Sequence, residues 1–477
     1  MAASSSEILS ALSIEEISRL GFLRQQCDKE ALLKNLHVEE RTAITEKDRL
    51  KEWSKLFERN NGTIPERSDE VKLLIRRGIP FSLRSVCWYE YSGASALANS
   101  NPRVYDVLCS REALDKGKYD TYSSHNLKFI QIIERDVFRT FPDNIHFKKR
   151  FPPPEAVDSG SDEDQDYTLA YQSQYVRSLR QILVAFSYYS WPHFDPRIGQ
   201  RECLSYKIGY CQSMNFICGF LLLVYAQDTD FEVDSEAARI IEAKAFWTLV
   251  ALIELLPTET YGADLSGAIA TQEILWKWIV GTRATFYGLE KVSAKIQEMS
   301  RVKASTEDND KQSMPPMQSI TLQWYLTLFI SIFPFDIVLR LWDLMIYQPG
   351  EKIFMRLILT LLKINEEQIL EFQDPIRLWK FVKDLPSTIV DGDDLLEKMF
   401  LPRSVKMVKL NGPEHTVTER RFALRENVGS MFVMAKSMFP AIRRKSIVRG
   451  VGSIKSKMID RLRAMEFEVK AMEKERK

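Results

Sequence analysis

Side chains able to do chemistry are thinly spread along this sequence, and several familiar arrangements of them are missing. The one Gly-Lys pair, Gly117-Lys118, has Glu112 where a phosphate-cradling loop needs a glycine, so the chain is not a nucleotide hydrolase of that type. Five histidines, at 37, 125, 146, 193 and 415, form no HExxH and no cluster with metal-ligand spacing, which argues against a zinc enzyme. Six cysteines (Cys27, Cys87, Cys109, Cys203, Cys211, Cys218) are scattered without a CxxC pair, as expected of reduced thiols in the cytosol, several of them filling core positions. Three segments remain: Arg77-Gly78-Ile79-Pro80 with Arg84 and Trp88; Ile133-Glu134-Arg135-Asp136-Val137-Phe138-Arg139-Thr140; and Ile208-Gly209-Tyr210-Cys211-Gln212-Ser213-Met214-Asn215. They gather arginines with amides. A guanidinium is always charged and offers a rigid fork of donors to oxyanions, while a glutamine amide accepts and donates at once.

Together these segments resemble the TBC domain of GTPase-activating proteins for Rab GTPases, whose signatures are a Gly-Ile-Pro stretch with Arg and Trp, an IxxDxxR motif and a YxQG motif. The resemblance continues through Phe246-Trp247, Leu256-Pro257 before Tyr261, and Leu339-Arg340-Leu341-Trp342-Asp343, covering roughly residues 70 to 400. Within the family the chain resembles the growth-hormone-regulated TBC protein subgroup. It implies an all-α fold, a V-shaped pair of helical subdomains. It also implies an activity exerted on a partner, a Rab-family small GTPase in its GTP form. GTP and Mg2+ are carried by that partner, and no cofactor of the chain's own is expected.

In that reading Arg139 is the arginine finger and Gln212 the glutamine that orients the attacking water, with Asp136, Arg84, Tyr210, Ser213 and Asn215 in support. On spacing alone Arg139 also fits a surface helix arginine paired with Asp136, three residues before it, and the two are compatible, since Asp136 could hold Arg139 extended. Gln212 also fits a satisfied polar residue near a helix start. Ile133 is expected to anchor its helix in the core, and Trp88, Trp247, Trp324 and Trp342 to be packing residues. Ser213 departs from the family's glycine. If that position needs a positive φ, serine misplaces the glutamine and lowers activity, which leaves open a second function: a TBC-shaped adaptor that binds GTPases or membranes without accelerating hydrolysis.

The elements that must carry these residues are helices. Hydrophobic residues make up 45% and charged residues 27% of 477, with 19 glycines and 19 prolines, which favours helix over turn-rich β architecture. The length points to two packed subdomains with extensions. Phe246-Trp247, Leu249-Val250, Ile253 and Leu256 recur at helical spacing, as do Ile353-Phe354, Leu357, Leu361 and Ile364. Phe216 to Ala226 and the richer stretch Leu322 to Val338 are too short or too interrupted to span a bilayer and are expected to be buried core helices. The expected organisation is a helical extension over 1–69, a TBC domain over 70–400 and a basic tail over 401–477. Ser13 and Glu16 have capping-box spacing, with Leu12 and Ile17 placed for a hydrophobic staple, and Asn60-Asn61-Gly62 with Pro65 mark the boundary before the domain.

A net charge of +1 gives no global drive toward nucleic acid, and no nucleic-acid partner is expected. Charge is instead local. The loop 152–168 carries six acids and no base between Pro152 and Asp166; its composition reads first as a plain solubilising loop, and Ser159 and Ser161 within it also suit an acid-directed kinase. A second polar insert spans 300–316. The tail holds 19 Lys and Arg against 8 Asp and Glu, with an apolar face at Ile454, Met458, Leu462, Met465, Val469 and Met472. It fits either an anionic membrane surface or a coiled-coil partner. The N-terminus lacks the basic flank of a signal peptide, so a cytoplasmic chain, peripheral on endomembranes, is expected.

Overall fold

The protein is described here by a computed structural model over residues 20–22, 45–115, 124–147, 173–190, 208–227, 231, 235–301, 316–348 and 350–400. The expected helix around Ser13–Glu16, the acidic loop with Ser159 and Ser161, most of the polar insert, the basic tail, Cys27 and Cys203 lie outside these residues.

Among the described residues the architecture is all-α, as the composition led one to expect, with a lone antiparallel bridge between Phe22 and Asn144. Helix α1 (45–59) buries Trp53 and Leu56. It ends at the Asn60-Asn61-Gly62 break, where Asn61 and Gly62 take positive φ and the Gly62 N–H closes on the Phe57 carbonyl at 2.8 Å. The following α2 (Asp69–Arg77) begins under a Ser68 cap, with acids in its first turn and Arg76 and Arg77 in its last. Then come α3 (Phe81–Tyr91), α4 (Ala94–Ser100), α5 (Val104–Asp115) and α6 (Ser124–Val137). After these, α7 (Gln174–Ser190), α8 (Met214–Tyr225) and α9 (Glu236–Leu255) form a mutually packed trio, with α5 and α6 against α7 and α4 against α9.

A second group starts with α10 (Ser266–Val280), which packs on α12 (Pro316–Leu326) and, beyond a short 3-10 turn, on α11 (Glu290–Arg301). Helices α13 (Phe335–Tyr347) and α14 (Gly350–Ile364) lie together, followed by α15 (Glu366–Glu371), α16 (Pro375–Asp384) and α17 (Gly392–Phe400). The tryptophans expected to be packing residues are indeed buried: Trp88, Trp247, Trp324 and Trp342 are all at most 3% exposed. The apolar run 216–226 is α8 and its C-cap, buried almost throughout.

Leu322 to Val338 is not one helix. Helix α12 stops at Leu326, and the chain turns through Leu328, Phe329 and Ser331, all at positive φ, before Pro334 caps α13. Proline has no N–H to give a preceding turn and suits a helix start, so it divides an apolar stretch whose composition alone reads as continuous. No helix among the described residues is long and apolar enough to cross a membrane.

What joins the two groups is a buried carboxylate. Asp343 on α13 accepts from Arg84 Nε at 3.1 Å, from Trp88 Nε1 at 2.9 Å and from the Ile79 backbone N–H at 3.2 Å. Arg340, one turn earlier, reaches Asp343, the Arg76 carbonyl and Asp393 of α17, which also pairs with Arg49 of α1. Gly78 makes room for this: it sits at φ 124°, and a Cβ there would lie 2.7 Å from the Arg340 guanidinium. The Trp53 indole donates to the Gly78 carbonyl at 3.0 Å, so α1 is bolted to the same knot.

Removing Asp343 leaves the Arg84 guanidinium buried without its counter-charge and leaves Arg340 with Asp393 alone. Asp343→Ala is therefore expected to lower the free energy of unfolding by about 3–5 kcal/mol. Urea denaturation measures this, and a loss under about 1 kcal/mol would show that the knot does not hold the seam.

Candidate functional site

Helix α6 is anchored by Ile133 and Val137, both buried as the spacing of Ile133 led one to expect, and ends at Val137. Two turn hydrogen bonds close it: the Arg139 N–H to the Asp136 carbonyl at 3.1 Å and the Thr140 N–H to that of Val137 at 3.2 Å. Arg139 thus stands in the turn beyond the helix rather than on the helix surface, and both it and Phe138 are exposed. Phe141 then takes a left-handed φ of 48° and points its ring inward among Phe147, Phe216 and Phe335.

The second loop, 208–213, leads into α8. Gly209 has φ 69°, and a Cβ there would fall 2.2 Å from the Phe129 ring, so the close approach of loop and α6 requires glycine. Tyr210 and Ser213 are buried, whereas Gln212 between them is half-exposed.

The two loops are tied by side chains that point away from solvent. The Tyr210 hydroxyl donates to Asp136 Oδ2 at 2.8 Å. Asn215, in the first turn of α8, donates through Nδ2 to Thr140 Oγ1 at 2.9 Å, while its Oδ1 accepts the Ser213 N–H at 3.2 Å. Thr140 in turn donates to the Asp136 carbonyl at 2.8 Å. Helix α8 comes this close because Gly219 faces the turn; a Cβ there would meet the Phe141 ring at 2.9 Å.

Electrostatics keep the tie in one protonation pattern. Burial pushes the Tyr210 hydroxyl well above its ordinary range, and the neighbouring Asp136 charge adds to this, so the phenol remains a donor. Burial also raises the Asp136 carboxyl, against the Tyr210 hydrogen bond and the positive charges of Arg139 and Arg135. Asp136 therefore serves Tyr210. Among the described residues it forms no ion pair with Arg139, unlike the pairing that i,i+3 spacing suggests, because Arg139 has left the helix. Neither the Arg139 guanidinium nor the Gln212 amide makes a hydrogen bond among the described residues, and no group of His, Cys, Asp or Glu there is arranged to hold a metal ion.

Ser213 takes the left-handed conformation that glycine would give, at φ 96°. Its hydroxyl donates to the Leu326 carbonyl at 2.9 Å, the same oxygen that accepts from the Tyr261 hydroxyl at 2.9 Å. The serine hydroxyl thus fastens the glutamine loop to the end of α12. Of the residues singled out from sequence, Asp136, Arg139, Tyr210, Gln212, Ser213 and Asn215 belong to this assembly. Arg84 does not, being buried against Asp343. Three contributors were missed. Thr140 follows the arginine directly, Tyr261 had been noted as a landmark without a role, and the Leu326 carbonyl is a main-chain atom that gives no sequence signal.

Residues 162–370 match the family model of the Rab-GTPase-TBC domain. The chain is similar to GTPase-activating protein MSB4 of Saccharomyces cerevisiae, 29% identical over 369 residues that make up 75% of this chain and 63% of that protein. It is similar to GTPase-activating protein GYP3 of the same yeast, 24% identical over 391 residues, 73% of this chain and 53% of that one. The chain thus spans little more than half of these two relatives' length. Human Growth hormone-regulated TBC protein 1 is 28% identical over 319 residues, covering 67% of this chain and 70% of its own. Among solved structures, the Chlamydomonas flagellar RabGAP TBC domain superposes with a TM-score of 0.52 at 21% identity, over 80% of this chain and 98% of that one, which shows a shared fold.

The local balance at Ser213 can be measured. Ser213→Ala keeps the left-handed strain and loses the hydrogen bond to Leu326, so it is expected to destabilise the protein by about 1 kcal/mol. Ser213→Gly loses the same bond but relieves a backbone conformation that costs a non-glycine residue about 1–2 kcal/mol, and should remain within about 1 kcal/mol of wild type. Thermal unfolding of the pair checks this order; equal stability of Ala and wild type would deny the hydrogen bond any weight.

Proposed function

From the match of residues 162–370 to the Rab-GTPase-TBC family model, we propose a GTPase-activating protein that lends Arg139 and Gln212 to the nucleotide site of a Rab-family small GTPase in its GTP form. One observation supports this above the rest. Two side chains of the right chemistry sit solvent-accessible on neighbouring loops, while every polar neighbour that could position them is turned inward and satisfied. The GTPase-activating proteins among the relatives point the same way.

Hydrolysis on a small GTPase is slow because charge develops over the γ-phosphoryl oxygens and the attacking water lacks a fixed partner. An arginine supplied in trans is worth about 10³–10⁵ in rate. Arg139 meets the developing charge with its guanidinium fork. The Gln212 amide oxygen accepts a hydrogen bond from the attacking water and its NH2 donates one at the reacting centre, which orients the nucleophile. GTP and Mg2+ arrive with the partner. This chain contributes position, with Asp136, Tyr210 and Asn215 holding both loops before the partner docks.

Single-turnover GTP hydrolysis with a panel of Rab GTPases tests the reading. Arg139→Ala is expected to reduce the accelerated rate about 10³-fold, and Arg139→Lys to recover little of it, since an ammonium is a point charge without the bidentate fork. Gln212→Ala should lose about 10²-fold. A wild-type protein that accelerates no member of the panel, or an Arg139→Ala protein as active as wild type, would end the proposal.

A further inference from the structure

Ahead of residue 45 the structure describes the tripeptide Leu20-Gly21-Phe22, and it rests on the turn that carries Arg139. The Ile145 N–H donates to the Gly21 carbonyl at 2.9 Å, and Asn144 Nδ2 to the Leu20 carbonyl at 2.7 Å. Gly21 takes φ 80°, and a Cβ there would lie 2.6 Å from the His146 ring, so the strand-like contact depends on glycine at this position. Leu20 is buried. The Phe22 ring stacks on Phe335 with centroids 3.6 Å apart and meets Phe141 edge-on at 5.1 Å.

Phe141 follows Arg139 by two residues and has a left-handed backbone, which a bulky side chain keeps only where the surroundings over-determine it. Phe335, Phe216 and Phe147 supply three sides of its enclosure, and Phe22 supplies another from a part of the chain more than a hundred residues away. We propose that Leu20–Phe22 is a positioning clasp for Arg139: the tripeptide fixes the turn 138–145, and through it the reach of the guanidinium. The clasp rests on the reading of Arg139 as the residue lent to the GTPase. Like Arg139 itself, the clasp lies outside the matched 162–370 region.

The test uses the full chain, a responsive Rab GTPase and single-turnover hydrolysis. Because a displacement of about 1 Å in a catalytic group can cost about 10²-fold, Phe22→Ala is expected to lower the maximal rate about 10- to 100-fold with little change in the GTPase concentration giving half that rate. Phe22→Tyr retains the stack and should restore most of the rate. In an Arg139→Ala background Phe22→Ala should add no further loss, whereas a general weakening of the fold would lower the residual rate as well. Independently of activity, hydrogen exchange at the Ile145 amide should accelerate in Phe22→Ala. Should that variant fail to fold, Gly21→Ala, which presses on His146, takes its place with the same expectations. Wild type active and Phe22→Ala equally active, an additive loss in the Arg139→Ala background, or unaltered exchange at Ile145 would each overturn the clasp. Wild type inert on every GTPase would instead overturn the proposed function, and the clasp with it.

Discussion

The hydrogen bond from the Tyr210 phenol to the Asp136 carboxylate is the contact on which the site depends. It joins two loops 74 residues apart in sequence and does so out of solvent, where a hydrogen bond to a charged group is worth more than one at the surface. Burial lifts the titration of both partners, yet only the phenol is strongly biased to stay protonated, which fixes the direction of the bond. With that link made, Asn215 and Thr140 can complete the bridge, and Arg139 and Gln212 are left with side chains that make no hydrogen bond among the described residues. Polar side chains kept free in this way lose no internal partner when another protein arrives.

A second buried carboxylate works at larger scale. Asp343 and Arg340 collect α1, α2, α3 and α17 around α13, so the end of α12 and the turn before α13 are held against the first helical group. The end of α12 supplies the Leu326 carbonyl to Ser213. The position of the glutamine loop is therefore set by both helical groups, and the Asp343 knot reaches the site through packing instead of direct contact.

Much of this was legible in the sequence. Ile133 announced the buried face of α6 by its place three residues before Asp136, the periodic apolar stretches became α9 and α14, and Tyr210, Ser213 and Asn215, close in sequence across the end of one loop and the start of α8, meet in one hydrogen-bonded assembly. Errors arose where a partner is distant in sequence. Arg84 read as support for the arginine turn, but the carboxylate that captures it is Asp343, 259 residues on. Asp136 read as a partner for Arg139 because local spacing favours that pair; the helix ends between them, and Tyr210 takes its place. Composition also misled at Leu322 to Val338, where an apolar run conceals a turn whose buried residues have left-handed backbones. Trp53 and Phe22 gave no local sign of joining a core shared with residues beyond 70, since burial of an isolated aromatic depends on what folds over it.

Strain has a location in this molecule. Among the described residues nine non-glycine residues have positive φ, and five of them, Phe141, Ser213, Leu328, Phe329 and Ser331, lie in three turns around the two loops. A bulky residue in that conformation relaxes unless its side chain is trapped, and here the traps are identifiable: an aromatic enclosure for Phe141, the Leu326 carbonyl for Ser213, and the buried ring contacts of Phe329 with Phe333 and Phe354. Sharp turns are what bring a side chain out of a helix end while its neighbours remain buried, so the strain is inseparable from the exposure of Arg139 and Gln212. Glycine at these positions would remove the strain, yet it would also remove the ring or hydroxyl that fixes the turn. Serine at 213 exchanges backbone ease for a second point of attachment, which holds the loop in one orientation despite its left-handed backbone.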